Sequence, residues 1–153
     1  MSYYQKVLQA DEIVKYVGKL HWTIYKNSIL LGAITVIVLL AGLYQTADLR
    51  WLIMLGTGLL GALAILSFLR SWFVRVTTEI VVTDKRIIHK VGWIARRTEE
   101  INISKVETVD VTQGISGRIF DSGTVLIRGI GGSWEPLRRI ASPLQLRNAI
   151  IVG

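Results

Sequence analysis

The sequence predicts an α+β fold: a helical hairpin of membrane-spanning length, followed by a small half-closed β-barrel capped by a C-terminal helix. Three observations predict it. Two long apolar runs are separated by a six-residue link, Gln45 to Arg50, whose only charges are Asp48 and Arg50. After Trp72 the hydrophobic period changes from helical to two and β-branched residues take over. The chain then ends on a helix-start signal followed by an amphipathic stretch. The 153 residues have room for one ordinary domain and a short appendage, which excludes a multi-domain enzyme. Only 19% of residues are charged, against roughly 25% in soluble domains, and mean hydropathy is +0.45. With no cysteine, disulfides, thiolate metal sites and thiol catalysis are excluded.

The first apolar run is Ser28 to Tyr44, with Trp22 to Tyr25 as its lead-in, and the second is Trp51 to Leu69. A hydrocarbon core of about 30 Å takes roughly 20 apolar residues in a helix, so both runs can cross. A buried core helix rarely stays apolar this long. A signal peptide would begin nearer the N-terminus and carry a small-residue cleavage site. Basic residues set the orientation. Lys15, Lys19, Lys26, Arg70 and Arg75 flank the outer ends, whereas the connecting loop has Arg50 alone, so both termini are expected in the cytoplasm. Trp22, Tyr25 and Trp72 at one edge, and Tyr44 and Trp51 at the other, suit the headgroup level. In the second run Gly58, Gly61 and Ala62 are small enough for close helix packing, either on the chain's own first helix or on another subunit. The expected divisions are a lead-in over 1–27, the hairpin over 28–72 and a cytoplasmic domain over 73–153.

In that last segment, Thr78 to Thr83 alternates as a strand, Asp84 and Lys85 make a tight turn, and Arg86 to Val91 returns. Gly92 and Trp93 occupy the next turn, and Ala95 to Ile101 is a third strand. Asn102 to Lys105 is a polar link to a fourth strand, Val106 to Thr112. Gln113 to Phe120 holds two glycines and reads as irregular. Gly123 to Arg128 and Trp134 to Ile140 flank the glycine-rich turn Gly129 to Gly132. Ser142 as N-cap, Pro143 at the first helical position and Gln145 three after the cap predict a capping box and a terminal helix. Six strands are visible, and the apolar helix face calls for an apolar cavity to cover.

Several pieces in order resemble the bacterial pleckstrin-homology-like (PH) domain of membrane proteins with two transmembrane helices. They are Thr83-Asp84-x-Arg86, Gly92, Arg97-Thr98-Glu99-Glu100-Ile101, Gln113-Gly114 and Gly123-Thr124-Val125, preceded by Val7-Leu8, Glu12 and His21-Trp22. The resemblance covers essentially the whole chain. Asn102 stands where that pattern usually has proline, and Asp121 near its usual glycine. The resemblance implies a seven-stranded, partly open barrel closed by a C-terminal helix, used as a binding platform and not as a catalyst. The seventh strand comes either from Gln113 to Phe120 or from Glu12 to Leu20 folding back.

Catalytic candidates are few. His21 sits beside Trp22 as a headgroup-level residue, and His89 lies on the Ile87–Val91 side of its strand. Two histidines this far apart make no metal site, and neither metal nor cofactor is expected. Glu99 and Glu100 alternate to opposite faces and cannot act as a carboxylate pair, although one of them is expected to pair with Arg96 or Arg97. The Gly129 to Gly132 run lacks the lysine and long helix of a phosphate loop. Two binding surfaces stand out: Lys90, Trp93, Arg96 and Arg97 around one hairpin tip, and Arg138, Arg139 and Arg147 near Trp134 and the terminal helix. The net charge of +7 suits an anionic membrane better than nucleic acid, because much of it flanks the hairpin. The expected activity is non-catalytic binding or scaffolding of protein partners or of a second copy, with membrane lipids as neighbours. The alternative is an accessory subunit packed through its transmembrane helices.

Overall fold

The computed structural model describes residues 7–9, 11–44, 47–92, 97–130, 132–133 and 136–152. The chain divides into two compact units, one over Trp22–Phe73 and one that joins the N-terminal residues to His21 with Val74–Gly153.

In the first unit a 3-10 turn over Trp22–Tyr25 leads into helix α1 (Lys26–Leu43), followed by helix α2 (Ala47–Thr77). The two helices face each other along one stripe. Ser28 Oγ bonds Ser67 Oγ at 2.9 Å, a Cβ on Gly61 would stand 3.6 Å from Thr35 Cγ2, and one on Gly42 would stand 2.6 Å from Ile53 Cγ2. These partners descend along α2 as they ascend along α1, which makes the hairpin antiparallel. Near Tyr25 the ring stacks on Phe68, with centroids 5.1 Å apart. Thr35 and Thr57 return their hydroxyls to the carbonyls of Leu31 and Ile53, at 2.8 and 2.7 Å, so the stripe leaves neither group unpaired. Trp22–Leu43 and Leu49–Thr77 are long and apolar enough to cross a membrane, and only 11% and 6% of their most apolar stretches are buried. That exposure is the opposite of what a core helix shows.

In the second unit two four-stranded antiparallel sheets replace the expected barrel. The first runs in the order β1 (Val14–Gly18), β2 (Glu79–Thr83), β3 (Arg86–Val91), β4 (Arg97–Asn102). The second is formed by β5 (Val106–Thr112), β6 (Ser122–Gly129) and β7 (Gly132–Ser133), with β8 (Leu137–Ala141) also pairing β6. The sheets do not close into a barrel. They are joined by the bridge between Leu20 and Ile140 and the bonds Ala141 N–H to Lys19 O (2.9 Å) and His21 N–H to Arg139 O (2.7 Å). Of the two sources for a further strand, the lead-in supplies it, as β1. Gln113 to Phe120 instead holds the short helix α3 (Ile115–Ile119).

Strand β8 reaches both neighbours because it is bulged. Gly123 and Val125 of β6 oppose Ile140 and Leu137, so β8 has one residue more over the same stretch. Arg139 absorbs it at φ 59°, and Leu137 and Ile140 both stay buried. Helix α4 (Pro143–Ile151) lies against strands of both sheets and buries Pro143, Leu146 and Ile150. The predicted capping box does not form. Ser142 adopts a left-handed conformation at φ 48° with no side-chain cap, and its hydroxyl donates to Asp121 Oδ2 instead. The tight turn into α4 takes Ser142 out of reach of the first helical amides.

A buried ion-pair network fixes β1 to the β2–β3 turn. The Glu12 side chain has no exposed surface. It accepts from Arg86 Nε and Nη2, both at 2.9 Å, from the Thr83 hydroxyl at 2.7 Å and from Gln9 N–H at 3.1 Å. Arg86 also donates to Glu100 and to the Val7 carbonyl. Ile13 N–H donates to Asp84 Oδ1, and Asp84 N–H to the Ile13 carbonyl. The Arg86 guanidinium, with smaller help from Thr83 and Gln9, holds the Glu12 carboxyl at about 2 against desolvation, which pushes the other way.

Because the folded-state pKa lies below the ordinary 4.5, this contribution to stability is complete above pH 4.5 and is lost as pH falls toward 2. It amounts to on the order of 3 kcal/mol. Urea unfolding in mild detergent, followed by tryptophan fluorescence across that range, should show the loss. Glu12→Gln should remove most of this pH dependence and lower stability at neutral pH by about 2 kcal/mol, because Arg86 loses its buried charged partner while keeping Glu100 and the Val7 carbonyl. Unchanged midpoints would contradict the network. In the hairpin, Gly42→Leu should separate the helices, measured as slower migration in detergent gels. Gly58→Leu should not, since nothing lies within 4 Å of a Cβ there.

Candidate functional site

Strand alternation puts one row of side chains on the inner face of the first sheet. Ile80 pairs with His89 and His89 with Glu99, while Val91 pairs with Arg97 one step further along the same face. These five residues line a half-open cavity of about 520 Å³. Its opposite wall is Pro136, Leu137, Arg138 and Ile140 on and before the bulged β8, and Leu20, Val74 and Thr78 complete it. The size falls in the range of ligand pockets, about 300 to 1,000 Å³.

The floor is apolar: Leu20, Ile80, Leu137 and Ile140 are almost wholly buried. Polar groups sit around it. Arg97 pairs with Glu99 two residues on, fulfilling the expectation that one of the two glutamates takes a neighbouring arginine. Glu100, on the other face, pairs with Arg86. Arg138 is exposed. The Thr78 hydroxyl is buried and has no hydrogen-bond partner among the described residues, a state that costs about 1 to 3 kcal/mol.

The two surfaces expected from sequence thus meet in part. Arg97 from one and Arg138 from the other line the same cavity. Lys90 does not join them: it alternates to the other face and is buried. Arg139 is exposed beside the mouth with its carbonyl engaged by His21. Trp93, Arg96 and Trp134 lie outside the described residues. Trp22, Tyr44, Trp51 and Trp72 are exposed, and Tyr25 is half-buried on Phe68. Gly61 packs inside the hairpin, whereas Gly58 and Ala62 face outward. Sequence reasoning missed Thr78 and Leu20, which no motif marks. It placed His89 on an inward-facing row without finding the cavity there.

The chemistry of the site favours binding. Among the described residues no base is bonded to the Thr78 hydroxyl. Glu99 is held by an arginine. Among the described residues no three His, Asp or Glu side chains gather to hold a metal ion. An apolar cavity rimmed by Arg97, Glu99 and Arg138 thus lies between the two antiparallel sheets. The family model for the bacterial PH domain matches residues 27–151, and the chain belongs to that family. Domains of this kind are generally non-catalytic. No curated protein and no solved structure matches the chain.

Replacing Thr78 by valine removes the unpaired hydroxyl while nearly keeping its shape. Thr78→Val should therefore stabilise the ligand-free protein by about 1 kcal/mol, read as a higher midpoint in urea. A lower midpoint would show that the hydroxyl is satisfied in solution.

Proposed function

We propose that this protein is a non-catalytic binding module tethered in the bacterial inner membrane, which holds protein partners or a second copy of itself at the cytoplasmic surface. The observation that carries this reading is the match to the bacterial PH domain over residues 27–151, a domain type that is generally non-catalytic, together with the exposed Arg138 and Arg139 on β8. Two apolar, outward-facing helices support the tether. The basic residues on their outer flanks support cytoplasmic termini. Confinement to a plane raises the effective concentration of membrane-bound partners, so a weak interface suffices.

One observation favours a second reading, that of an accessory subunit in a larger membrane complex. Gly56 and Gly58 have open space around them, and Ala62 faces the same way as Gly58. Such a face allows close approach of a foreign helix.

The two readings separate in one experiment. The protein is purified in gentle detergent and its companions identified by mass spectrometry for wild type, Gly58→Leu and Arg139→Asn. Asparagine tolerates the left-handed backbone at that position while removing the charge. Loss of companions in the Arg139 variant alone supports the β-module reading, and loss in the Gly58 variant alone supports the subunit reading. A chain stripped from vesicles by alkaline carbonate would remove both.

A further inference from the structure

The edge strands of the two sheets are not alike. β1, β5 and β8 each carry a register shift against a neighbour, and β7 has only two residues. Irregular or very short edges are poor templates for another chain. β4 has neither protection. Its six residues, Arg97–Asn102, oppose β3 one for one, and among the described residues no strand pairs its other side. Such a strand presents a row of amides and carbonyls to a further strand.

Charges along an edge commonly keep other strands away. On β4 their order does the opposite. The sequence Arg96-Arg97-Thr98-Glu99-Glu100 reverses its charge about Thr98. Two copies of one edge related by a two-fold axis meet antiparallel, and in a continuous sheet residues of the same face stand opposite each other. Centred on Thr98, that pairing sets Arg97 opposite Glu99 of the second copy and Arg96, the residue before β4, opposite its Glu100. The axis repeats both pairs, and threonine meets threonine between them. Unlike charges and paired threonines are favourable cross-strand neighbours. The registers on either side are not: centring on Glu99 sets two glutamates face to face, and centring on Arg97 two arginines.

The charges within one chain leave room for this. Arg97 pairs with Glu99 and Glu100 with Arg86, so the edge enters the contact as neutral pairs. The Arg97 side chain is still 71% exposed, and a guanidinium has donors enough for a second carboxylate. A foreign strand would need acids and arginines in this same reversed order, which a second copy supplies by symmetry.

We propose that β4 pairs with β4 of a second copy, antiparallel about Thr98, so that the two first sheets run on as one across a two-fold axis. This rests on the reading of the β module as a non-catalytic binding module, and it assigns this edge to the chain itself.

Because the chain has no cysteine, single-cysteine variants report one position each. The full chain carrying Thr98→Cys, placed in phosphatidylglycerol vesicles and oxidised with copper phenanthroline, should form a disulfide-linked dimer on non-reducing gels, since directly opposed Cβ atoms lie about 4.5 to 5.5 Å apart. Thr112→Cys, exposed on the edge strand β5, should give about tenfold less, because distant thiols cannot be bridged. Adding Arg97→Glu or Glu99→Arg to Thr98→Cys should each cut the dimer about tenfold by setting like charges opposite each other. Mixing these two charge variants in detergent before reconstitution should restore a dimer of one with the other, since every glutamate then faces an arginine. A defect in folding would not be repaired by mixing. No dimer from Thr98→Cys, as much from Thr112→Cys, no loss in the charge variants, or no recovery on mixing would each overturn the proposal. Should a charge variant fail to fold, the comparison of Thr98→Cys with Thr112→Cys decides. If companions still co-purify with a chain that does not cross-link at position 98, the β4 contact alone fails. If there are neither companions nor a cross-link, the binding-module reading fails with it.

Discussion

A carboxylate with no exposed side-chain surface stays ionised only if bonds to its charged form outweigh the loss of water, and Glu12 meets that condition through Arg86, Thr83 and Gln9. The consequence is spatial. Glu12 precedes β1 by two residues, and the reciprocal bonds between Ile13 and Asp84 follow directly from its placement. Once β1 is fixed against β2, its continuation through Lys19 to His21 meets β8, and this is where the two sheets join. Leu20 lies in that continuation and forms part of the cavity wall. One buried ion pair at the edge of the first sheet therefore bears on whether the cavity has all its sides.

The other wall depends on irregularity. A regular β8 would send Leu137 and Ile140, three apart, to opposite faces. The extra residue at Arg139 brings both inward and frees backbone groups to turn toward β1. A positive φ in a non-glycine residue is costly, and here it accompanies a strand that serves two partners. The same corner explains Ser142, which follows at φ 48°. Its backbone bonds Asp121 and its hydroxyl does too, which ties the start of α4 to β6 rather than capping the helix.

Legibility from sequence tracked how local each determinant is. Arg86 to Val91 and Val106 to Thr112 were readable to the residue because alternation and turn chemistry sit within them. The polar link at Asn102 was readable as a break, and it becomes a 3-10 turn whose Asn102 side chain accepts from Ser104 N–H. β1 was readable only as one of two options, since its partner is some seventy residues away and Glu12 looks like any surface acid. The half-closed barrel was an overreach of the strand count: even partial closure needs a β4–β5 ladder, and the two strands are separated by that 3-10 turn. Ser-Pro-x-Gln failed as a capping box because backbone conformation at Ser142 is set by the neighbouring strand. At the site, residue type identified Arg97 and Arg138. Only strand parity could have separated them from Lys90, and only tertiary structure could bring them to one cavity.

The hairpin poses the complementary question, because its helices bury so little of themselves. Their mutual face is a narrow stripe of serines, threonines, glycines and small apolar residues. Leu30, Ile37, Leu55, Leu59, Ile65 and Leu66 are more than half exposed. In water such a surface would drive association without specificity. In hydrocarbon it is matched, and the helix contact is then set by close packing and hydroxyl bonds. The stripe has that composition: Ser28 meets Ser67, and Thr35 and Thr57 satisfy themselves on their own helices. At 1.5 Å per residue the 22- and 29-residue apolar segments are about 33 and 44 Å long, against a core of about 30 Å. The second has length to spare, and its surplus lies at the C-terminal end, where Arg70 and Arg75 stand. The helix therefore continues past the apolar run into charged sequence before β2 begins, and Val74 and Thr78, which line the cavity, belong to that stretch.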